Sequence, residues 1–214
     1  AMPQLFRYER TQRGRLREHF QWNVDIIGED DTAADAEVLA VALESLRALG
    51  LGAEDIVARF NDRRLLETLL TGIGVPQDRL VASYAVVDKL AREPEDRIRQ
   101  RLADEAGLDG RTTDALLDLF TVTDIAALRD RFAGNDAALV EIERLQQYEL
   151  RMAELGLGDF IRFDMTIVRG LAYYTGTVFE VFDRQGELRA VCGGGRYDRL
   201  LASVGGADLP GVGF

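Results

Sequence analysis

The sequence predicts an α+β protein in which an antiparallel sheet flanked by helices is interrupted by an inserted helical module. Two observations predict it. Apolar and polar residues alternate with period two near the start of the chain and strand character returns toward its end, whereas the long stretch between has helical spacing. That middle stretch, residues 75–158, is polar and rich in Arg, Asp and Glu, so its composition divides the chain into 1–74, 75–158 and 159–214. A chain of 214 residues holds one sizeable core, or a core with a smaller inserted domain.

Residues 5–27 read as two strands. In the second, Phe20, Trp22, Val24 and Ile26 alternate with Gln21, Asn23, Asp25 and Ile27, and Thr11 to Gly14 supplies the break of a long-looped hairpin. From Asp31 to Leu49 the period changes to 3.6. Leu39, Leu43, Leu46 and Leu49 make one stripe, Asp31 is the N-cap and Gly50 the stop. A short strand follows over Asp55–Phe60, then a helix through Arg64–Leu70 that ends at Gly72. In the helical stretch Leu117, Leu119, Leu128 and Phe132 are the core candidates. Its helices either form a separate module or pack directly on the main sheet. Strands resume at Phe160–Val168 and Thr175–Phe182, and Ala190–Cys192 leads into Gly193, Gly194 and Gly195, which either let the backbone approach a ligand or another strand closely or form a bulge or turn before a helix at Tyr197–Ser203.

Composition excludes several classes of function. No apolar run approaches the roughly 20 residues of a membrane span, and no signal-peptide pattern opens the sequence. A single cysteine, Cys192, excludes an internal disulfide framework and fits a reducing cytoplasm. With one His and one Cys, a His/Cys zinc site is excluded as well. The net charge of −11 argues against a broad nucleic-acid surface, because neutralising phosphates takes clustered Lys and Arg. Lysine is almost absent, and Arg7, Arg10, Arg13, Arg15 and Arg17 crowd the first 17 residues. That cluster suits either a phosphate ligand or a solvated hairpin.

Three segments contain candidates for chemistry. On a strand Arg7 and Glu9 share a face, as do Gln21, Asn23 and Asp25. Such a face suits a zwitterionic ligand plus a phosphate, although a solvated outer face is the simpler reading of the alternation alone. In the second segment Arg169 sits among apolar residues and needs an anionic partner, a ligand or one of many nearby carboxylates. If that stretch is extended, Tyr173 and Tyr174 point to opposite faces, and at most one of them lines a given pocket. The third is the glycine run with Arg196, Tyr197 and Asp198, a weak signal that fits no phosphate-loop pattern. His19, the only imidazole, has no second base or nucleophile beside it and reads as a hairpin residue.

Taken in this order, the segments resemble those of histidyl-tRNA synthetases, a class II aminoacyl-tRNA synthetase family. Phe6 to Arg15 (FRYERTQRGR), continuing to Gln21 and Asp25, is similar to class II motif 2. Val168 to Gly176 (VRGLAYYTG) resembles the histidine-specific segment, Gly193 to Asp198 (GGGRYD) the second specific segment, and Pro210 to Phe214 (PGVGF) the approach to motif 3. The resemblance implies a class II synthetase-like antiparallel sheet and formation of histidyl-adenylate from histidine and ATP, followed by transfer to tRNA. It implies that Arg7 holds the α-phosphate, Glu9 faces the adenine and Arg15 reaches the outer phosphates. Arg169 would grip the α-phosphate from the opposite side. Gln21 and Asp25 would receive the amino group of histidine, and Tyr174 and Tyr197 would surround the imidazole, with Tyr173 in the same candidate set. Mg²⁺ would ride on the ATP phosphates, and the complete protein would be a homodimer that charges histidine tRNA.

The sequence departs from the family pattern at Asp25, where Glu is usual, at Thr11, where Pro is common, and at Ala172, where Asp is common. Motif 1, the Thr/Glu substrate loop, the motif 3 arginine and an anticodon-binding domain are not found in it. The chain is therefore expected to bind tRNA weakly and not to run the full reaction alone. Two other readings stand beside the enzyme: the synthetase-like regulatory subunit of ATP phosphoribosyltransferase, which usually lacks the full arginine set, and an inactive structural remnant.

Overall fold

The protein was analysed as a computed structural model, which describes residues 1–8, 16–90, 92–168, 173–186 and 189–214. The α+β class is observed. β1 (Gln4–Phe6) and β2 (Glu18–Phe20) pair antiparallel as a small separate sheet, with Leu5 opposite His19. The predicted second hairpin strand does not continue to Ile27 as one element. The backbone keeps bonding to residues 1–3 as far as Asn23, whose N–H donates to the Ala1 carbonyl at 2.8 Å, and then changes partners: Val24 and Phe214 exchange N–H···O bonds of 3.1 and 3.0 Å, which delivers β3 (Asp25–Ile27) to the main sheet.

The main sheet also contains β4 (Ile56–Asp62), β5 (Ile161–Phe163), β6 (Thr177–Asp183), β7 (Cys192–Arg196) and β8 (Gly211–Gly213), in the order β3-β8-β7-β6-β4-β5. It is antiparallel except for β4 and β5, which run parallel. A parallel pair needs a long crossover, and the helices between these two strands supply it. Phe160–Val168, predicted as one strand, is strand only over Ile161–Phe163; the Asp164 N–H still donates to the Phe60 carbonyl at 2.9 Å, and a turn follows at Met165. The glycines 193–195 are neither bulge nor turn but ladder residues of β7, facing Glu180, Phe179 and Val178.

α1 (Thr32–Ala48) starts where Asp31 accepts a 2.7 Å hydrogen bond from the Ala33 N–H, the predicted cap. Its stripe is buried at Leu39 and Leu43, whereas Leu49 lies past the helix end and is 80% exposed. α2 (Arg63–Gly72) is capped by Asp62, whose Oδ1 accepts from the N–H groups of Arg64 and Leu65 at 2.7 and 3.2 Å. α3 (Leu80–Val87), α4 (Glu95–Asp104), α5 (Gly110–Leu119), α6 (Ile125–Arg131) and α7 (Asp136–Glu154) follow. Leu119 and Leu128 are buried as expected, and Leu117 and Phe132 are partly buried. α7 lies against α1 and α2, and its Tyr148 ring meets Phe60 of β4 at 5.2 Å, so it shares the core of the sheet. The short α8 (Leu200–Ser203) begins three residues later than expected. Among the described residues no helix is long and apolar enough to cross a membrane.

The register divides the sheet into two faces. Ile26, Val212, Arg196, Gly194, Phe179, Val181, Ala58 and Phe60 share the face under α1 and α7. The other face presents Asp25, Gly213, Gly195, Val178 and Asn61 in a single row across five strands. Arg196 is the exception on the helix side, a fully buried guanidinium in an apolar layer. It is held by four acceptors. Nε donates to Asp35 of α1 at 2.9 Å, Nη1 to Asp198 and to the Glu29 carbonyl at 3.0 Å each, and Nη2 to the Asp31 carbonyl at 3.3 Å.

Burial pushes the Asp35 carboxyl up from 3.8 to about 6, outweighing the opposing pull of Arg196. Burial also works against the Arg196 charge, but Asp35 and Asp198 more than offset it and its pKa rises. Because the folded pKa of Asp35 lies above its unfolded value, its contribution favours folding below about pH 4 and is lost as pH rises toward 6. Carboxyl ¹³C NMR is expected to give Asp35 a midpoint near 6; a midpoint below 4 would mean that pairing outweighs burial. Arg196→Met strands the Asp35 carboxylate and is expected to cost about 3–5 kcal/mol in urea denaturation. A loss below about 1 kcal/mol would contradict the pairing.

Candidate functional site

The open face of the sheet has an aromatic and carboxylate cluster built over glycine. Tyr197 follows Arg196 and therefore faces the opposite way, and its hydroxyl donates to an Asp25 carboxylate oxygen. The Tyr173 ring lies 4.7 Å from that of Tyr174 and 6.3 Å from that of Tyr197, centroid to centroid. The expectation that Tyr173 and Tyr174 point to opposite faces fails, because Tyr173 sits in a turn rather than on a strand. Tyr174 is buried and Tyr173 exposed, so the three rings grade from floor to rim. Burial raises the Tyr197 pKa first, and donation to Asp25 raises it further, so at neutral pH the phenol stays protonated as a donor.

Glycine is required under this cluster for space. A Cβ at Gly213 would overlap the Asp25 carboxylate and come within 2.8 Å of the Tyr197 hydroxyl, and one at Gly195 would lie 2.9 Å from the Tyr174 ring. The two glycines are neighbours in the ladder and form a shallow trough two strands wide, roughly 5 Å per strand. The rim on the β7 side is pinned by Thr175, whose hydroxyl donates to Asp198 at 2.9 Å and accepts from the Asp198 N–H at 3.0 Å. Thr175 N–H also donates to the Arg196 carbonyl at 2.8 Å. Arg196 and Asp198 stood in the sequence only as members of the third candidate segment, with no role assigned, and Thr175 was not singled out. Their only signal there was their position inside the two specific segments.

A second group lies on the approach to β3. Arg7 Nη2 donates to Gln21 Oε1 at 3.0 Å, and Gln21 Nε2 donates to Asn23 Oδ1 at 2.6 Å. Asn23 and Asp25 are two residues apart on an extended run, so the Arg7–Gln21 group adjoins the tyrosine cluster. The predicted site residues Arg7, Gln21, Asp25, Tyr173, Tyr174 and Tyr197 thus fall into two adjoining groups. Glu9, Arg15 and Arg169 lie outside the described residues. His19 is a β2 residue in the hairpin, opposite Leu5. Chemically, the described residues here offer one guanidinium, one carboxylate, two carboxamides and three phenol rings over the glycine trough. That set suits a small ligand with a cationic amine, a flat ring and an adjacent anion.

The sequence profile of the histidyl-tRNA synthetase family matches residues 2–214. The histidine–tRNA ligase of Arabidopsis thaliana chloroplasts and mitochondria is 42% identical over 218 residues, covering 100% of this chain and 43% of that protein. A histidyl-tRNA synthetase crystal structure from a Nostoc species superposes with a TM-score of 0.83 at 24% identity, over 99% of this chain and 50% of the other. A Bacillus halodurans structure described as an ATP phosphoribosyltransferase regulatory subunit/histidyl-tRNA synthetase gives 0.80 at 21% identity, over 99% and 54%. These two structures share the fold. The chain spans about half the length of the curated relatives it matches. On this match across nearly its whole length, the chain belongs to the histidyl-tRNA synthetase family.

Proposed function

We propose that this chain supplies the histidine- and ATP-binding part of a histidine–tRNA ligase, with residues 75–158 as a helical insertion between the two parts of its catalytic core. The observation that carries the reading is the Tyr197–Asp25 pair over Gly213, flanked by Tyr173 and Tyr174 and adjoining Arg7–Gln21. In this reading Asp25 and Gln21 accept from the histidine ammonium and Tyr174 and Tyr197 enclose the imidazole. Asp25, one methylene shorter than the usual Glu, is reached by the Tyr197 hydroxyl, which fixes its rotamer.

The reaction follows from charge. A histidine carboxylate oxygen attacks the α-phosphorus of ATP in line, forming the acyl–phosphate O–P bond as the P–O bond to pyrophosphate breaks. Both reactants are anionic, so positioned guanidinium groups, Arg7 on one side and Arg169 on the other, stabilise the pentavalent transition state without transferring a proton. Glu9 would face the adenine and Arg15 the outer phosphates. Among the described residues no group of three or more His, Cys, Asp or Glu side chains is arranged to hold a metal. Mg²⁺ would enter on the ATP phosphates. The tRNA acceptor end would then take histidine from the adenylate. With a net charge of −11, the chain itself is expected to contribute little to tRNA affinity, and the complete protein would act as a homodimer in the cytoplasm.

The test is ATP–pyrophosphate exchange on the full-length protein. Histidine is expected to support exchange and leucine not. Asp25→Asn should raise KM for histidine about 10-fold or more, since a hydrogen bond to a charged group contributes roughly 1.5–3 kcal/mol. Arg7→Ala should lower kcat by about 10²–10³. No histidine-dependent exchange in the unaltered protein would favour the regulatory-subunit reading, and equal exchange with leucine would refute the pocket assignment.

A further inference from the structure

One residue outside the site holds both ends of the segment that carries Arg169. Arg63 opens α2, directly after β4. Its side-chain Nη1 donates to the Val168 carbonyl at 3.1 Å, and its backbone N–H donates to the Gly176 carbonyl at 2.9 Å. Val168 and Gly176 bracket the segment resembling the histidine-specific one. The Arg63 guanidinium lies over the Tyr84 ring of α3, 3.9 Å from its centroid. Two β4 residues on the same open face continue the attachment upstream. Buried Asn61 donates from Nδ2 to the Met165 carbonyl at 3.0 Å, and Arg59 lies 3.5 Å from the Asp164 carboxylate. The chain entering residue 169 is thus fastened at residues 164, 165 and 168 to successive alternate positions 59, 61 and 63.

We infer that Arg63 is a positioning residue for the adenylation reaction, clasping residues 168 and 176, which flank Arg169 in sequence, and acting through Arg169. The inference rests on the synthetase reading above. Arg63 suits the task for a physical reason. A planar guanidinium can stack on a ring and donate in its plane at once, so Tyr84 fixes the orientation of the fork while Nη1 reaches the carbonyl. A lysine ammonium would keep the charge and lose that fixed geometry. The consequence couples α3, the first long helix of the 75–158 stretch, to the segment that bears the catalytic arginine.

The test compares Arg63→Met, Arg63→Lys, Arg169→Ala and the double variant Arg63→Met/Arg169→Ala in the full-length protein, by histidine-dependent pyrophosphate exchange and by thermal melting. Misplacing a catalytic group by about 1 Å costs on the order of 10²-fold in rate. Arg63→Met is therefore expected to lower kcat about 10²-fold with KM for ATP changed less than about threefold, and Arg63→Lys to recover only part of the loss. On the Arg169→Ala background Arg63→Met should cost less than about threefold, because its effect passes through a residue already removed. An equal loss on both backgrounds, or a normal kcat in folded Arg63→Met, overturns the inference while leaving the function intact. If Arg63→Met melts below the assay temperature, Tyr84→Leu takes its place: it keeps the carbonyl donor and removes the stack, and is expected to lower kcat about tenfold. A normal kcat in folded Tyr84→Leu also overturns the inference. Absence of exchange in the unaltered protein overturns the functional reading, and this inference with it.

Discussion

The Arg196–Asp35 pair is the constraint on which the site depends. It joins β7, near the C-terminus, to the first turns of α1, across 161 residues of sequence. A buried guanidinium is tolerated only if nearly all its donors are satisfied, and this one finds two carboxylates and two main-chain carbonyls. Three of the four acceptors come from a short stretch, Glu29 to Asp35, so satisfying Arg196 fixes how the start of α1 sits on the sheet. Replacing the pair with apolar residues need not destabilise the protein, as such exchanges are often neutral. What the pair specifies is register. With Arg196 turned toward α1, the pleat turns Tyr197 to the open face, and Asp198 is held between Arg196 and Thr175.

The same pleat explains why candidate site residues and core residues interleave without conflict. β6 buries Phe179 and Val181 on the helix side and offers Val178 to the trough. β7 alternates Gly194 and Arg196 with Gly195 and Tyr197. On the open side the ladder places Gly213 and Gly195 between Asp25 and Val178, so rings and carboxylate lie against backbone. A side chain at either glycine would occupy the space that the polar groups need to converge. The trough is thus shaped by missing side chains as much as by those present.

Much of this was legible in the sequence because it is local. The Asp31 cap, the 3.6-residue stripe of α1, and the strand over Asp55–Phe60 with the helix after it follow from short-range patterning. Features set by partners far along the chain were not legible. Glycines 193–195 have poor strand propensity, and only their pairing with Val178 to Glu180 makes them strand. Arg196 reads as one arginine among many until Asp35 is seen beside it. Tyr173 and Tyr174 looked opposed because alternation was assumed through a turn. The predicted strand over Phe160–Val168 stopped at Phe163, and beyond it the Met165 and Val168 carbonyls accept from the side chains of Asn61 and Arg63 instead. Resemblance supplied the roles of Glu9, Arg15 and Arg169, and periodicity alone would have left the hairpin face as a solvated surface.

If Arg196 sets register, stability and ligand binding should separate. The direct measurement compares full-length Arg196→Met with Arg196→Met/Asp35→Ala by urea denaturation and by calorimetric titration with histidine. Removing Asp35 as well takes away the stranded carboxylate, so the double variant should regain stability relative to Arg196→Met. Its histidine affinity should stay at least about tenfold below that of the unaltered protein, since a loss near 1.4 kcal/mol follows from displacing one polar contact. Unaltered histidine affinity in the folded double variant would contradict the account, because the trough would then form without the buried pair.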